Sequence, residues 1–347
     1  MSYTTKVLHI DKDTFQEFEK ASILQDLLIK GVVRPRVANP QYLLILKDTE
    51  FIVVDKQGNV VLRKTVGYTI DWGAINNDGK VAIISGADLY VYDINGNELY
   101  HTTFSANISP KLILGSKYLW LAINTSPVTV YVYDLTDFSY TSFTVTASSA
   151  TSTVFSINEL GDEAIIFTGD PSDYTLILRT ADISGVIKEV DTGIKCIPLF
   201  SYFRPDLAGA LVGGRVYASS WYGRVFLVNH NLDFNNFYTV TWTGDNYVYF
   251  VADINLAKAL IFQTNTKTIR KYTLDLNTMS ATEADTFELV ENPENVGNID
   301  NNGDMTPDGA FALITTSDIL IINWETKEIV KTIAKSFANK PIKMIVA

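Results

Sequence analysis

One short stretch of the sequence has the side chains and the spacing of a cation-binding loop. It runs from Asn298 to Asp304 with the sequence NIDNNGD, so that oxygen-bearing side chains alternate before and after a glycine. Ca²⁺ takes such ligands, and Asp300, Asn302 and Asp304 are therefore a candidate Ca²⁺ site. The EF-hand pattern breaks at its closing glutamate, because that position is Gly309. The alternative is an inter-strand loop, since Asn, Asp and Gly also dominate turns for backbone reasons.

Histidine and cysteine, which supply most zinc ligands and many nucleophiles, are scarce. His9, His101 and His230 lie in different parts of the chain, so a metal site would need the fold to bring them together, and the alternative is a structural role on outer strands. Cys196 is the single cysteine, which excludes an internal disulfide and a cysteine-based metal site. The sequence has no Gly-x-Ser-x-Gly elbow and no glycine-rich phosphate loop. We therefore predict no catalytic residue from motifs, no zinc, and no cofactor other than Ca²⁺.

Aromatic residues in segments rich in turn formers are a second group of candidates. Tyr and Trp dominate the energetic hot spots of protein interfaces, and aromatic residues also dominate core packing. The sequence predicts that these residues anchor a partner, with packing in the core as the alternative. The candidates are Tyr202, Phe203, Trp221, Tyr222, Phe237, Tyr238 and Trp242.

A repeated strand unit has to position these candidates. Seven times along the chain an apolar strand is followed by a short gap and a second apolar strand that stops at Asp or Asn. The spacings between successive ends of the third strands are 38, 41, 48, 47, 46 and 48 residues, a mean of about 45, which fits four-stranded propeller blades. The sequence thus predicts an all-β fold, a seven-bladed β-propeller of four-stranded blades with a short N-terminal helix. The residues that mark the third-strand ends are Asp55, Asp93, Asp134, Asp182, Asn229, Asp275 and Asn323.

The two ends of the chain need elements of their own. Residues 13–30 predict an amphipathic helix, because Thr14 and Glu17 fit a capping box and Gly31 supplies a stop. This helix either braces the propeller or docks a partner. Residues 341–346 predict a strand that completes the first blade, whose own inner strand would have to cross Pro35. We accordingly divide the chain into residues 1–31, an N-terminal strand and helix, and residues 32–347, a single propeller closed by the C-terminal strand.

Composition and charge narrow the class of protein. Apolar residues make up 47% of the chain and aromatic residues 12%, which is ample for a packed core. No run approaches the roughly 20 apolar residues of a membrane span, and the N-terminus lacks the features of a signal peptide, so we expect a cytoplasmic or virion location. With 28 basic and 39 acidic residues the net charge is −11, which disfavours nucleic acid and anionic membranes as partners.

The repeat units resemble the blades of WD-repeat and quinoprotein-like propellers. The segments from Asn77 to Ala82 (NDGKVA) and from Thr306 to Phe311 (TPDGAF) are similar to the acidic-glycine turn before the second strand of such blades. The resemblance spans about residues 32–347 and implies the fold alone, because the Gly-His and Trp-Asp signatures of true WD repeats are missing. The Tyr-, Ile-, Asn- and Thr-rich composition is also similar to that of structural proteins of archaeal viruses, which implies a virion or host-contact role.

Two functions from different classes fit these observations. The first is a non-catalytic interaction or scaffold module, in which loops bind a protein partner, a glycan, or further copies of the chain in a homo-oligomer or virion. The alternative is a propeller hydrolase or lyase that acts on a glycan or an ester through an acid–base pair of carboxylates at the central channel. The candidate carboxylates are Asp71, Asp300 and Asp304. We favour the first function, because the second lacks a recognisable motif.

Overall fold

A computed structural model describes residues 42–333 and 343–346 of the chain. Short gaps fall at residues 47–48, 56–59, 109–111, 150–151, 205, 218–220, 243–247, 254, 264–265, 294–302, 306–310 and 317–318. The described part of the chain consists of β-strands joined by turns and contains no α-helix. The helix predicted for residues 13–30 lies outside the described residues. Within them, no helix has the length and hydropathy that crossing a bilayer requires.

The described strands form seven four-stranded antiparallel sheets. Six of them consist of strands that follow one another along the chain, and the seventh combines β28 with β1, β2 and β3. The strands up to residue 145 are β1 (Tyr42–Leu46), β2 (Glu50–Asp55), β3 (Val60–Thr65), β4 (Trp72–Ile75), β5 (Val81–Ser85), β6 (Asp88–Tyr92), β7 (Glu98–Thr103), β8 (Ile113–Leu114), β9 (Tyr118–Ile123), β10 (Val128–Asp134) and β11 (Tyr140–Val145). The next eight are β12 (Thr153–Ile157), β13 (Glu163–Gly169), β14 (Thr175–Asp182), β15 (Gly185–Lys195), β16 (Ile197–Phe203), β17 (Gly209–Tyr217), β18 (Trp221–Asn229) and β19 (Phe234–Trp242). The last nine are β20 (Val248–Ala252), β21 (Lys258–Gln263), β22 (Thr268–Asp275), β23 (Ser280–Glu288), β24 (Gly303–Met305), β25 (Phe311–Thr315), β26 (Ile319–Asn323), β27 (Ile329–Ile333) and β28 (Lys343–Val346).

The chain divides into two compact units. The first unit comprises residues 1–105 and 303–347 and contains the sheets β28-β1-β2-β3, β4–β7 and β24–β27. The second unit comprises residues 106–302 and contains the sheets β8–β11, β12–β15, β16–β19 and β20–β23. The prediction of a single domain over residues 32–347 stays a prediction.

The C-terminal strand β28 joins the first sheet. It pairs antiparallel with β1, with Leu44 opposite Ile345. The strand expected at residues 341–346 is therefore present as Lys343–Val346, and it supplies the strand next to β1 in the sheet β28-β1-β2-β3. Through this pairing β28 covers the edge of β1 that would otherwise be open.

The third strands end at an Asp or Asn because that side chain caps the following turn. Asp93 Oδ1 accepts hydrogen bonds from the backbone N–H groups of Asn95 and Asn97, at 2.9 and 2.8 Å. Asp275 and Asn323 do the same two residues further on in their own turns. Such turns satisfy backbone donors that the ladder leaves unpaired, which is the physical reason for the repeat that the sequence displays.

The strands of a sheet differ in how far they are buried. First and second strands such as β12, β20 and β5 are buried almost throughout. Fourth strands alternate between half-buried and exposed residues, as in β3 and β7. A strand that is buried on both faces reads as a continuous apolar run, whereas a strand with one wet face alternates. Polar side chains that meet solvent therefore concentrate on the third and fourth strands.

Side chains on fourth strands also connect neighbouring sheets within each unit. In every case a fourth-strand side chain donates a hydrogen bond to a backbone carbonyl in the turn between the third and fourth strands of the next sheet. The Lys64 and Asn235 bonds measure 2.9 and 3.0 Å. The four donor–acceptor pairs are Lys64 with Gly96, Thr141 with Ile183, Lys188 with Asn231, and Asn235 with Met279.

Candidate functional site

Three of the sheets carry, at the same position, a cross-strand pair in which both side chains are titratable. The third-strand member of each pair stands three residues before the Asp that ends the strand, and its partner stands opposite on the fourth strand. In the other sheets the equivalent pair has at most one titratable member, as in Ile52 with Arg63 and Tyr131 with Ser142. The three pairs are Tyr90 with His101, Arg179 with Glu189, and Tyr272 with Glu283.

The pair in the sheet β4–β7 is the centre of a larger group, which we term the histidine cluster. The Tyr90 ring is stacked between two others: its centroid lies 4.1 Å from that of Tyr68 and 4.2 Å from that of His101, with interplanar angles of 11° and 3°. Both faces of Tyr90 are thus covered, and the imidazole lies flat against a rigid ring. The cluster consists of Tyr68, Asp88, Tyr90, Tyr92, His101 and Thr103.

Asp88 holds the imidazole from its edge. Its Oδ1 lies 3.2 Å from His101 Nε2 and also accepts a 2.5 Å hydrogen bond from the Thr103 hydroxyl. The Thr103 bond, followed by the contact with His101, holds the pKa of Asp88 below its usual range. An ionised carboxylate at Nε2 favours the tautomer with its proton on that nitrogen, which leaves Nδ1 as the basic atom.

On the tyrosine side of the cluster, Tyr92 is buried and Tyr68 is half-buried. The Tyr68 and Tyr92 hydroxyls are 2.6 Å apart, and burial raises the pKa of both phenols. The Lys64 ammonium lies 4.9 Å from the centroid of the Tyr92 ring while it donates to Gly96. These contacts fix the wall against which His101 packs.

The histidine side of the cluster is open to water. The His101 side chain is 40% exposed and the Asp88 side chain 32% exposed. A histidine that is oriented by a carboxylate and reached by water has the parts of a general base. Among the described residues, this is the one histidine that pairs with a carboxylate.

A second group, the arginine cluster, occupies the sheet β20–β23. Arg270 Nη1 contacts both carboxylate oxygens of Glu283, at 3.0 and 3.2 Å, and the Tyr272 hydroxyl donates to Glu283 Oε2 at 2.9 Å. Nearby, Gln263 Nε2 donates to the Tyr238 hydroxyl at 2.7 Å. Every polar group named here has a bonding partner, so the arginine cluster serves packing between strands. It consists of Tyr238, Gln263, Arg270, Tyr272 and Glu283.

The aromatic residues predicted as partner anchors lie in strands, whereas the sequence had suggested turn-rich segments. Tyr238 is buried in the arginine cluster, and Phe237 is half-buried with its ring against Tyr272. The strands β17, β18 and β19 are nine residues long, and their ladder runs as far as Trp221 opposite Trp242. The side chains of the remaining candidates lie outside the described residues: Tyr202, Phe203, Trp221, Tyr222 and Trp242.

The predicted carboxylate sites are described only at Asp71. This exposed residue accepts a 2.6 Å hydrogen bond from the Gly86 backbone at Oδ2 and so caps a turn. Asp300 and Asn302 lie outside the described residues, and Asp304 lies in β24 with its side chain outside them. The Ca²⁺ site and the channel acid pair therefore stay predictions. In the described part of the chain, no group of three or more His, Cys, Asp or Glu is placed to hold a metal ion.

The other candidate residues are two histidines and the single cysteine. His230 is exposed in the turn after β18, and His9 lies outside the described residues. Cys196 is fully buried, which raises the pKa of its thiol to about 12 and makes it unreactive. Tyr68, Asp88 and Tyr90 are not among the residues predicted from the sequence, although counting three residues back from each third-strand end selects Tyr90.

Comparison with known proteins identifies the fold. No protein-family model matches the chain, and no curated protein matches it. Similar solved structures include the periplasmic gluconolactonase of Pseudomonas aeruginosa (TM-score 0.59, 12% identity, 88% of this chain and 99% of that chain). A proposed 6-phosphogluconolactonase of Bacteroides fragilis (0.58, 11%, 90% and 99%) and the β-propeller domain of Myceliophteria thermophila Swd1 (0.53, 11%, 83% and 91%) also match. The chain has a β-propeller fold. At these identities the likeness shows the fold alone.

These neighbours correct the functional prediction. Two of the propellers are named as lactonases, and so is a further one from Bacteroides uniformis. The prediction of a non-catalytic scaffold is wrong in the light of these enzymes, and the hydrolase alternative is the interpretation they favour. The resemblance to viral proteins finds no support among the similar structures. The predicted protein partner and the predicted location stay predictions.

Proposed function

We propose that this protein is a propeller hydrolase that opens cyclic esters, with His101 as the general base and Asp88 as the carboxylate that orients it. The observation that carries the proposal is the Asp88–His101 contact of 3.2 Å on a half-open surface. The lactonases among the similar structures supply the reaction class. The alternative is a hydrolase whose acid–base pair is drawn from the candidate channel carboxylates Asp71, Asp300 and Asp304.

The reaction follows from the position of the basic nitrogen. His101 Nδ1 takes a proton from a water molecule as the water oxygen attacks the carbonyl carbon of the lactone. The resulting tetrahedral intermediate collapses, the ring C–O bond breaks, and the departing alkoxide takes the proton back from the imidazolium. One water is consumed and one hydroxy acid is formed.

The neighbouring side chains of the cluster assist this proton transfer. The Asp88 carboxylate stabilises the imidazolium that forms during the reaction, as an orienting acid does in hydrolytic triads. Tyr90 holds the plane of the imidazole by stacking at 4.2 Å. A positioned general base of this kind contributes about 10²–10⁴-fold to the rate.

The test is hydrolysis of D-glucono-1,5-lactone, followed by acid release at constant pH. His101→Gln should lower kcat/KM by about 10²-fold or more. Glu283→Gln, which changes the equivalent fourth-strand residue of the arginine cluster, is the matched control and should leave the rate unchanged. The proposal fails if the wild-type protein does not exceed the buffer rate, or if His101→Gln is as active as the wild type.

We also propose that the seven sheets are the blades of one seven-bladed propeller that spans residues 32–347 and carries the helix of residues 13–30. The repeat of about 45 residues and the pairing of β28 with β1 support this arrangement. An experimental structure of the full chain tests it, and a different number of blades would refute it.

A further inference from the structure

The histidine cluster lies in a negatively charged environment. Asp88 is part of the cluster, and Glu98 is an exposed residue on the same strand as His101. In the ladder of β6 and β7, Glu98 stands opposite Tyr92, two positions from the Tyr90–His101 pair. Burial, followed by the charges of Asp88 and Glu98, raises the pKa of Tyr90. The chain as a whole adds to this field with its net charge of −11.

The positive charge near the cluster is already engaged. Lys64 is a cationic side chain that contacts the cluster, at Tyr92. Its ammonium donates a 2.9 Å hydrogen bond to the Gly96 carbonyl and lies over the Tyr92 ring, on the tyrosine side of the cluster. Arg63, its neighbour along β3, instead pairs with Glu50 at 3.8 Å.

A phosphate group needs the opposite environment. It carries about −1.5 to −2 charge at pH 7 and is bound by arginine forks, lysines or the N-termini of helices. Next to His101 it would meet the carboxylate of Asp88, with Glu98 two ladder positions further along β7. A surface of one sign repels a ligand of the same sign as it approaches.

We infer that the site takes an uncharged lactone and discriminates against a phosphorylated one. The inference rests on the proposed function and names the substrate class of the same site. It separates two substrates that differ by a single phosphate, so the ring that reacts is the same in both, and the difference in rate reports the charges around the cluster.

The experiment compares D-glucono-1,5-lactone with its 6-phosphate on the full-length protein at low and high ionic strength. The uncharged lactone should give a kcat/KM about tenfold higher at low salt, because electrostatic steering changes association rates by at least that factor. The difference should shrink at high salt, where exposed charges are screened. Glu98→Gln should raise kcat/KM for the 6-phosphate several-fold and leave that for the uncharged lactone unchanged.

The outcomes separate the inference from the function beneath it. An equal or higher kcat/KM for the 6-phosphate overturns the inference and leaves the hydrolase in place. A preference for the uncharged lactone that neither salt nor Glu98→Gln alters also overturns it, because the preference would then come from shape. Failure to hydrolyse either compound overturns the proposed function and the inference together.

Discussion

The histidine cluster and the arginine cluster place opposite charges at the same two positions of a sheet. In β4–β7 the acid Asp88 stands on the third strand, five residues before the strand end, and the base His101 stands on the fourth. In β20–β23 the base Arg270 occupies the third-strand position and the acid Glu283 the fourth. The same two backbone positions therefore carry an acid and a cation in one order in the sheet β4–β7 and in the opposite order in the sheet β20–β23.

The residue types at these two positions decide whether the pair is structural or can take part in proton transfer. Arg270 is always protonated, and its Nη1 contacts both carboxylate oxygens of Glu283. This pair therefore has no proton to exchange near neutral pH. His101 makes a single contact with Asp88, at 3.2 Å through Nε2, and its second ring nitrogen takes no part in that contact. A tyrosine stands beside both pairs: Tyr272 donates to Glu283 through its hydroxyl, whereas Tyr90 supports His101 with its ring face.

The largest expected effect is on the free energy of unfolding and concerns the pair of Arg179 with Glu189. It tests whether the burial of a charged side chain sets the cost of removing its partner. Arg179, the third member of the series, is 2% exposed and bonds Glu189 at 2.6 Å and the Thr168 hydroxyl at 2.5 Å. Glu189→Ala should lower the free energy of unfolding by about 2 kcal/mol, less than the 3–5 of a fully buried pair, because the Glu189 side chain is 54% exposed. Urea denaturation measures the change.

The matched control for this prediction is Glu189→Gln, which keeps a hydrogen-bond acceptor next to Arg179. Glu189→Gln should lower the free energy of unfolding clearly less than Glu189→Ala does, because the Arg179 guanidinium still has a partner. Equal costs for the two variants would show that burial of Arg179 does not set the energy of this pair.

A smaller effect is expected in the arginine cluster. Both side chains of the Arg270–Glu283 pair are 38% exposed, and exposed pairs contribute about 1 kcal/mol or less. Glu283→Gln should therefore lower the free energy of unfolding by about 0.5 kcal/mol at low salt and by less at high salt. A loss as large as that of Glu189→Ala would mean that the comparison between exposed and buried pairs is wrong.

The smallest expected effect concerns Thr103 and appears in the pH dependence of the free energy of unfolding. The pKa of Asp88 is lowered in the folded protein, so its contribution to stability is present above its unfolded value and is lost as the pH falls through the folded value. Thr103→Val removes the largest cause of that shift and should raise the pKa of Asp88. The stability difference between wild type and variant should then shrink below about pH 4, as measured by urea denaturation across pH.

Thr103→Ser is the control, because it keeps the hydroxyl that donates to Asp88. It should follow the wild-type pH dependence. Should the valine variant also follow it, the Thr103 bond does not govern the ionisation of Asp88.

The sequence predicts the sheets better than the clusters, because the two depend on different distances along the chain. The Asp or Asn at the end of a third strand bonds backbone groups two to four residues away, and such a local pattern is legible in the sequence. The pairing of Tyr90 with His101 depends in addition on the irregularity between Val91 and Tyr92 in the ladder of β6 and β7. A shift of one residue would turn His101 to the other face.

The remaining part of the histidine cluster has no local signal at all. Tyr68 reaches Tyr90 from the segment before β4, and no periodicity in the sequence marks it. The aromatic residues of β18 and β19 show the opposite error, since glycine and asparagine near them suggested turns where the ladder continues. Tertiary pairing overrides local composition in both places.

The hydrogen bonds between neighbouring sheets bear on how this fold tolerates change in its sequence over evolutionary time. Each acceptor is a backbone carbonyl, which every residue type offers, and the donors are as different as Lys64, Thr141 and Asn235. A substitution in the receiving turn leaves the carbonyl in place, and several long or polar side chains can replace the donor. Drift at these positions is therefore nearly neutral, which fits a fold shared with proteins of 11–12% identity.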